Sequence, residues 1–508
     1  MELTKNTINT SGVIAKGNAQ AMADGDVIVP DTKPDILKLI QVDCDASITD
    51  KYTENGRIVL CGRVDYKVLY VPDQENEKIK SIETSMDFRH VADASNGNDN
   101  YQILAKPTVE RVEFNTVNSR KLRLRAIVRI DYEAYEMKRI DLSSVCDDDI
   151  EMKIDTIVYE DTINISEHEF TIKDHLEIPS GERSVNEILK TDIKIYDTEY
   201  KPVTGKVIVK GMMNACVLYT DCEGDIKFTE SDIPFTEVFD AENVSDDVVC
   251  DIDYCVLCVM ATTEPDIDGD LREISLDIDV SASMKATRVS ESQILTDCFV
   301  PYTNTKCNTE KISLKNTIER PFLTNTIRDV IVIDANAPRV NEIYNIMTNA
   351  QILKSQLERN KIICEGKIEV YILYLTDSNE NPVYSLKKDI PFSYMIDCKS
   401  DTDGLECEMK TLVKHSSYNL NSSGEIEIRC LLSIECMLIE NYEIENITDI
   451  VTEPNRKRQG MVIYFARTGE SLWDIAKRYG VPCKSLESQN EIDADILKED
   501  RKLFIPIK

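Results

Sequence analysis

Histidines, paired cysteines and paired carboxylates are the side chains whose spacing in a sequence says most about catalysis or metal binding. The four histidines are His90, His168, His175 and His415. None stands in an H-E-x-x-H pair, and the spacing of His168 and His175 matches no standard zinc motif. There is no glycine-rich phosphate loop, dinucleotide fingerprint or nucleophile elbow. Cys255-Val-Leu-Cys258 is the only C-x-x-C. It lies in a segment of strand composition, where residues three apart point to opposite faces, so the sulfurs are expected to diverge. Carboxylates cluster at Asp147–Asp149, Asp246-Asp247 and Asp266-Ile-Asp-Gly-Asp270. These read as solvated loops, because a glycosidase pair needs one carboxyl in an apolar pocket. The last run also lacks the bidentate glutamate of a calcium-binding EF-hand loop. No catalytic residue, metal ligand or cofactor is expected.

The elements around these residues are strands, and they repeat. Residues Thr171–Leu189 (TIKDHLEIPSGERSVNEIL) align without a gap on Thr326–Tyr344 (TIRDVIVIDANAPRVNEIY), and a more diverged copy starts at Pro34 with PDILKL. Each copy then has a strand entered at a glycine: Gly62, Gly211 and Gly366. Past it, apolar residues alternate: Val64, Tyr66, Val68, Tyr70; Met213, Ala215, Val217, Tyr219; Ile368, Val370, Ile372, Tyr374. A period of two marks one buried face, and the intervening Arg63, Asp65, Lys67, Lys367 and Glu369 are expected in water. Further alternating segments close each copy, as in Lys121–Tyr132, Glu273–Val280 and Glu425–Leu438. Only the V-N-E-I stretches read as briefly helical. The expected fold is mainly β: three antiparallel sandwich- or barrel-like domains over 1–150, 151–310 and 311–450, then a linker over 451–460 and a small α+β domain over 461–508.

Charge narrows the partners. The chain of 508 residues has 59 basic and 92 acidic residues, a net charge of −33. Such a surface repels phosphate backbones and anionic headgroups, so neither nucleic acid nor a membrane is an expected partner. The segment from Ile463 onward is net neutral and follows a basic knot, Arg456-Lys457-Arg458, able to steer an acidic partner. The first residues show no basic region followed by an apolar core, and no apolar run approaches a bilayer span. Scattered cysteines such as Cys61, Cys216, Cys364 and Cys430 read as reduced core residues of a cytosolic protein.

In the tail, a strand over 462–466 is followed by a turn at Thr468-Gly469 and a helix with Ser471-x-x-Asp474 as a capping box. Leu472, Ile475, Ala476 and Tyr479 form its buried stripe, and Gly480 its C-cap. A short helix near 484–490 and a strand over 503–506 complete a β-α-α-β pattern. Trp473, the only tryptophan in the chain, falls on the flank of the stripe, where a half-exposed ring makes a good interface anchor.

This pattern, with T-G-E-S-L-W-D-I-A-K-R-Y-G-V, Asn490 and the terminal I-P, resembles the LysM family. The resemblance implies two helices on a two-stranded sheet and binding of N-acetylglucosamine polymers such as peptidoglycan. The groove would lie between Thr468–Ser471 and Asn490–Asp495. Asp500-Arg501 replace the glycine-glutamine pair common in the family at the loop that shapes this groove. Together with the V-N-E-I and glycine-entered repeats, the whole chain resembles clostridial spore-coat morphogenetic proteins built of SPOCS repeats and a LysM domain. That resemblance implies a non-enzymatic scaffold in the mother-cell cytoplasm at the forespore surface. Its LysM domain would bind a SpoIVA-like coat ATPase, with other coat proteins as further partners. Ile463, Arg467, Gly469, Glu470, Ser471, Trp473, Asn490 and Ile492 are the residues expected to contact the partner. The alternatives are a peptidoglycan-bound wall protein and a phage tail or baseplate component with a LysM tip.

Overall fold

The computed structural model describes residues 3–507 apart from 75–76, 95–100, 146–149, 180, 335–336, 377, 379–380, 422–423, 455–459 and 493–494. Arg456–Arg458 and Asp147–Asp149 therefore lie outside the described residues. Each third of the body is a sandwich of two antiparallel sheets. In the first unit, β2 (Ile36–Glu54), β3 (Arg57–Pro72) and β4 (Lys80–Asp93) form one sheet. β1 (Thr4–Ile28), β5 (Gln102–Asn118) and β6 (Lys121–Val145) form the other, in the order β1-β6-β5. The second unit repeats the plan: β8 (Val185–Val203), β9 (Lys206–Asp221) and β10 (Ile226–Asp240) pack on β7 (Glu151–Glu177), β11 (Val249–Pro265) and β12 (Leu271–Phe299).

In the third unit the long first strand is split at Arg320-Pro321 into β13 (Thr303–Glu319) and β14 (Phe322–Ile331). Proline has no N–H to continue the ladder, so the strand breaks where it stands. β15 (Glu342–Glu358), β16 (Lys361–Leu375) and β17 (Val383–Asp397) form one sheet, and β18 (Glu406–Leu420) joins β13 and β14 on β19 (Ile426–Pro454) in the other.

The alternating residues form the cores. Val64, Tyr66, Val68 and Tyr70 are fully buried, as are Met213, Ala215, Val217, Tyr219 and their partners in the third unit. Each fully buried side chain of this size stabilises by ~1.5–3 kcal/mol. The tyrosine hydroxyls are not orphaned: Tyr70 donates to the Pro34 carbonyl at 3.1 Å and Tyr374 to the equivalent Pro338 carbonyl at 3.0 Å.

Two sequence expectations need correction. The central strands run through their glycines rather than starting there, since β3, β9 and β16 begin at Arg57, Lys206 and Lys361. The V-N-E-I stretches are not helical. In the second unit this stretch opens β8, with bulges at Val185/Glu187 and Ile188/Lys190, and in the third β15 carries one at Ile343/Asn345. A bulge adds a residue to the period of two, which makes buried positions fall three apart as on a helix.

The units are not beads on a string. The outer faces of their central sheets meet at one centre, where the equivalent residues Leu69, Leu218 and Leu373 are buried together with Leu189 and Tyr344. Beside them Lys190, 2% exposed in its side chain, is held by Asp43 at 2.9 Å and Asp192 at 3.0 Å, and Asn345 donates to the same Asp192 carboxylate. Burial pushes the Asp192 carboxyl up, but Lys190 and Lys67 outweigh it and hold the group below its usual range. Lys67, expected in water, instead donates to the Thr191 carbonyl at 2.7 Å, and Glu369 is buried between Lys367 and Lys387. A second junction gathers the far halves of the long strands, joining Ile8 and Leu142, Ile157 and Ile294, and Ile312 and Leu314. There Asn446 accepts from the Ser143 N–H at 3.0 Å and donates to the Asp141 carbonyl at 3.0 Å.

The tail is a separate small fold. β20 (Gly460–Ala466) pairs with β21 (Arg501–Ile507), and α1 (Leu472–Tyr479) and α2 (Cys483–Asn490) cover one face of the pair. Gly480 ends α1 at φ 67°, the left-handed conformation glycine tolerates. Ser471 stands at the N-cap, but its side chain makes no capping bond, so the expected capping box is absent.

Candidate functional site

The α1 flank of the tail rests on the end of β12. The Trp473 indole N–H donates to Asp297 at 2.8 Å, and its ring meets Phe299 edge-on with centroids 5.1 Å apart. Lys477 pairs with the same Asp297 carboxylate, and the Tyr302 N–H donates to the Gly480 carbonyl at 2.7 Å. Phe299 is 2% exposed and belongs to the tail's own apolar cluster with Leu472, Ile475 and Leu486. Trp473 is half-buried, as helix geometry implies, but it anchors the tail to the body of the same chain.

The other residues expected at a partner surface divide. Asn490 and Ile492 are interior, at 7% and 8% exposure. Asn490 ties the end of α2 to β21: its amide donates to the Leu486 and Phe504 carbonyls at 2.9 and 3.0 Å, and its oxygen accepts from the Phe504 N–H at 2.7 Å. Glu470 is half-buried and accepts from the Tyr464 hydroxyl at 2.8 Å and the Arg467 N–H at 2.9 Å, which holds its carboxyl below the usual range. Ser471 is half-buried, whereas Arg467 and Gly469 are exposed.

The walls of the expected groove are laced together. Gly469 N–H donates to the Leu497 carbonyl at 2.8 Å, Leu472 N–H to Asp495 at 2.8 Å, and Leu497 N–H to Glu470 at 3.0 Å. The Thr468 N–H and hydroxyl both donate to Asp500, at 2.7 and 3.0 Å, and Arg501 donates to the Asn490 carbonyl at 2.7 Å. Asp500 and Arg501 thus act as ties between the walls. A small cavity beside the second wall, lined by Glu491, Ile496, Lys498 and Glu499, takes no residue from Thr468–Ser471.

The opposite face of the β20–β21 pair is apolar and open. Met461, Ile463 and Phe465 project from β20 at 58%, 50% and 73% exposure, and Phe504 stands directly across from Ile463. The helices cover the other face, so alternation along the strand puts these three side chains outward together. Contiguous exposed apolar strips are a common feature of contact surfaces. Of the expected contact residues Ile463 belongs to this one. The rest of the strip was missed, although the alternation Met461, Ile463, Phe465 beside Val462, Tyr464, Ala466 was there to read.

Two further groupings lie outside the tail. His175 of β7, Glu273 of β12 and Glu264 of β11 bring ligand-type atoms within 4.8 Å of one another on an outer sheet face. They are the residues able to hold a metal ion among those described, and their long separations in sequence hid them. Asp266 is occupied in its own turn, accepting from the Asp268 and Asp270 N–H groups at 2.9 and 3.0 Å. Cys255 and Cys258 do not diverge as expected: a bulge at Val256/Cys258 sets them opposite Ser281 and Asp279, two positions on one face of β12. Cys255 is half-buried and its thiol is pushed up to about 11 by burial. A cleft of about 520 Å³ between the first two units is lined by Lys138, Arg139, Arg288 and Asp161. No helix is long and apolar enough to cross a membrane among the described residues.

Comparison with known families accounts for both parts of the chain. The family described as SipL, SPOCS domain, matches residues 35–117, 184–262 and 339–421. The LysM domain family matches residues 466–506. Each SPOCS match starts just before the central sheet of one unit and ends in the strands that follow it. A search of curated proteins and one of solved structures returned no match.

Proposed function

The chain is a SipL-type protein of three SPOCS domains and a LysM domain, and on that premise we propose that it is a non-enzymatic scaffold of spore-coat assembly. In this reading it works in the mother-cell cytoplasm and docks through LysM onto a SpoIVA-like coat morphogenetic protein at the forespore surface. The observation that carries the reading is the open strip Met461, Ile463, Phe465 and Phe504. Three aromatic and aliphatic anchors in a row, one of them nearly three-quarters exposed, are what a protein partner buries at the centre of an interface. The sugar-binding groove, by contrast, has its backbone donors engaged across its own walls. A glycan's acetamide would have to displace those bonds, which supports a protein ligand over an N-acetylglucosamine polymer.

Phe465→Glu in the full-length chain tests this. Capture of the SpoIVA-like ATPase is expected to fall at least tenfold, because the substitution places a carboxylate in a desolvated contact. Trp473 emission should stay unchanged, showing that the tail remains folded on the body. Undiminished capture would sink the reading. Co-sedimentation of the full chain with purified peptidoglycan, retained in the variant, would favour the glycan instead.

A further inference from the structure

Two pairs of cysteines stand close together among the described residues, Cys407 with Cys436 and Cys298 with Cys307, and the second pair lies at the junction of two units. The Cys298 and Cys307 sulfurs are 3.4 Å apart. Cys298 is the penultimate residue of β12 and is fully buried, and Cys307 lies on β13, partly open to solvent. Between them runs the segment that receives the tail, including Phe299 and Tyr302. Asp297, which holds Trp473 and Lys477, is the residue just before the first cysteine.

We propose that Cys298 and Cys307 form a reversible disulfide that staples the second unit to the third beneath the LysM seat, with a peroxide as oxidant. A disulfide needs sulfurs ~2 Å apart, so closing the pair takes a shift of only about 1.4 Å, within reach of side-chain rotation. The pair is also unequal in the way such a reaction requires. The Cys298 hydrogen bond pulls the Cys307 thiol down to about 7, helped by the Lys477 ammonium and opposed by burial and the Asp297 carboxylate. Cys307, the partly open member of the pair, is therefore the one an oxidant meets first, as its thiolate, and Cys298 is the sheltered resolving thiol. Cys407 and Cys436, the other close pair, are unequal in the same sense, the partly open Cys407 thiol being lowered by its hydrogen bond to Cys436. Both lie on the paired strands β18 and β19 of the third unit, however, so a bridge there would join no two units.

The chemistry balances as follows. The Cys307 thiolate attacks one oxygen of hydrogen peroxide, the O–O bond breaks, and the departing hydroxide takes a proton to become water. Cys307 is now a sulfenic acid. The Cys298 sulfur attacks the Cys307 sulfur, the S–O bond breaks, and the leaving hydroxide takes the Cys298 proton as a second water. The two sulfurs lose two electrons, which the peroxide gains. A dithiol reductant reverses the bridge by exchange.

The test uses the full chain, reduced, then treated with equimolar hydrogen peroxide and alkylated in denaturant. Trypsin cuts at Lys306 and separates the two cysteines, so the bridge appears as a linked peptide pair lighter by two hydrogen atoms. Cys307→Ser should abolish it and leave Cys298 alkylated, whereas Cys407→Ser should leave it intact. Alkylation of both Cys298 and Cys307 after peroxide, or pairing of either with another cysteine, overturns the assignment. The bridged chain should also hold Trp473 in its seat to a higher urea concentration, reversibly on adding dithiothreitol. An identical emission midpoint in both redox states would overturn the stapling of the seat.

Discussion

Gly62 lies directly across its sheet from Phe88, and the ring covers it so closely that a β-carbon there would stand 2.1 Å from Phe88 Cζ. The pair recurs as Gly211 with Phe235, at 2.6 Å, and as Gly366 with Phe392, at 2.4 Å. All three glycines have ordinary extended backbone, so glycine is required for space and not for a left-handed turn. The aromatic ring shields the bare strand and fills the side-chain gap.

Gly366→Ala should therefore force Phe392 out of its place and cost about 1–3 kcal/mol, read as a lower urea midpoint for the body. Pairing it with Phe392→Leu should recover only the share due to the ring, because the Gln351 carbonyl, 2.3 Å from the same β-carbon, stays in place. A Gly366→Ala chain as stable as the parent would mean that the close approach does not exist.

The seat of the LysM domain has a built-in reporter, since Trp473 is the only tryptophan. Asp297→Ala removes the acceptor of its indole N–H and the partner of Lys477. Its emission should shift to the red as the ring gains water, while the far-ultraviolet circular dichroism of the β body stays the same. The lost charge-assisted contacts are worth about 1.5–3 kcal/mol, enough to release the domain part of the time. Unshifted emission would show that the ring is held by something other than this carboxylate.

Acid should loosen the three units from one another. Asp253 takes Lys106 of the first unit at 2.8 Å and Lys410 of the third at 2.9 Å. Burial pushes its carboxyl up, but the two lysines more than reverse this and bring it down to about 2. A depressed value means that the stabilisation is present above the ordinary carboxylate value and is lost as pH falls toward 2. The side chain is 38% exposed, so screening limits the effect to about 1 kcal/mol. Asp253→Asn should lower the urea midpoint at pH 7, and the gap from the parent should close between about pH 4 and pH 2. A gap that persists at pH 2 would rule out the charge as its source.

What was legible in the sequence follows from range. The inward faces, such as Val64 to Tyr70, obey a local period of two, and the repeat makes that period visible three times. The outer faces were not legible. Leu69, Leu218 and Leu373 occupy positions that alternation assigns to water, and only the meeting of the units buries them. Bulges hid the V-N-E-I strands and misplaced Cys258, because one added residue moves every later side chain to the other face. For Trp473, helix geometry found the right degree of exposure but not the partner, since Asp297 lies 176 residues upstream. Asn490 matched a family position, yet three hydrogen bonds turn it inward as a clasp.

The meeting of the three central sheets carries one more consequence, which concerns valence. The first unit touches the second, the second the third, and the third the first. The triangle is closed within a single polypeptide. A solenoid leaves an unfilled copy of its stacking face at each end, on which a further repeat or a neighbouring molecule can grow. Here every copy of that face is already taken by a sibling, as in a cyclic trimer whose rotation has come full circle. The body therefore cannot propagate a lattice through this contact. Any ordered layer built from this chain has to use surfaces other than the one its three units spend on each other.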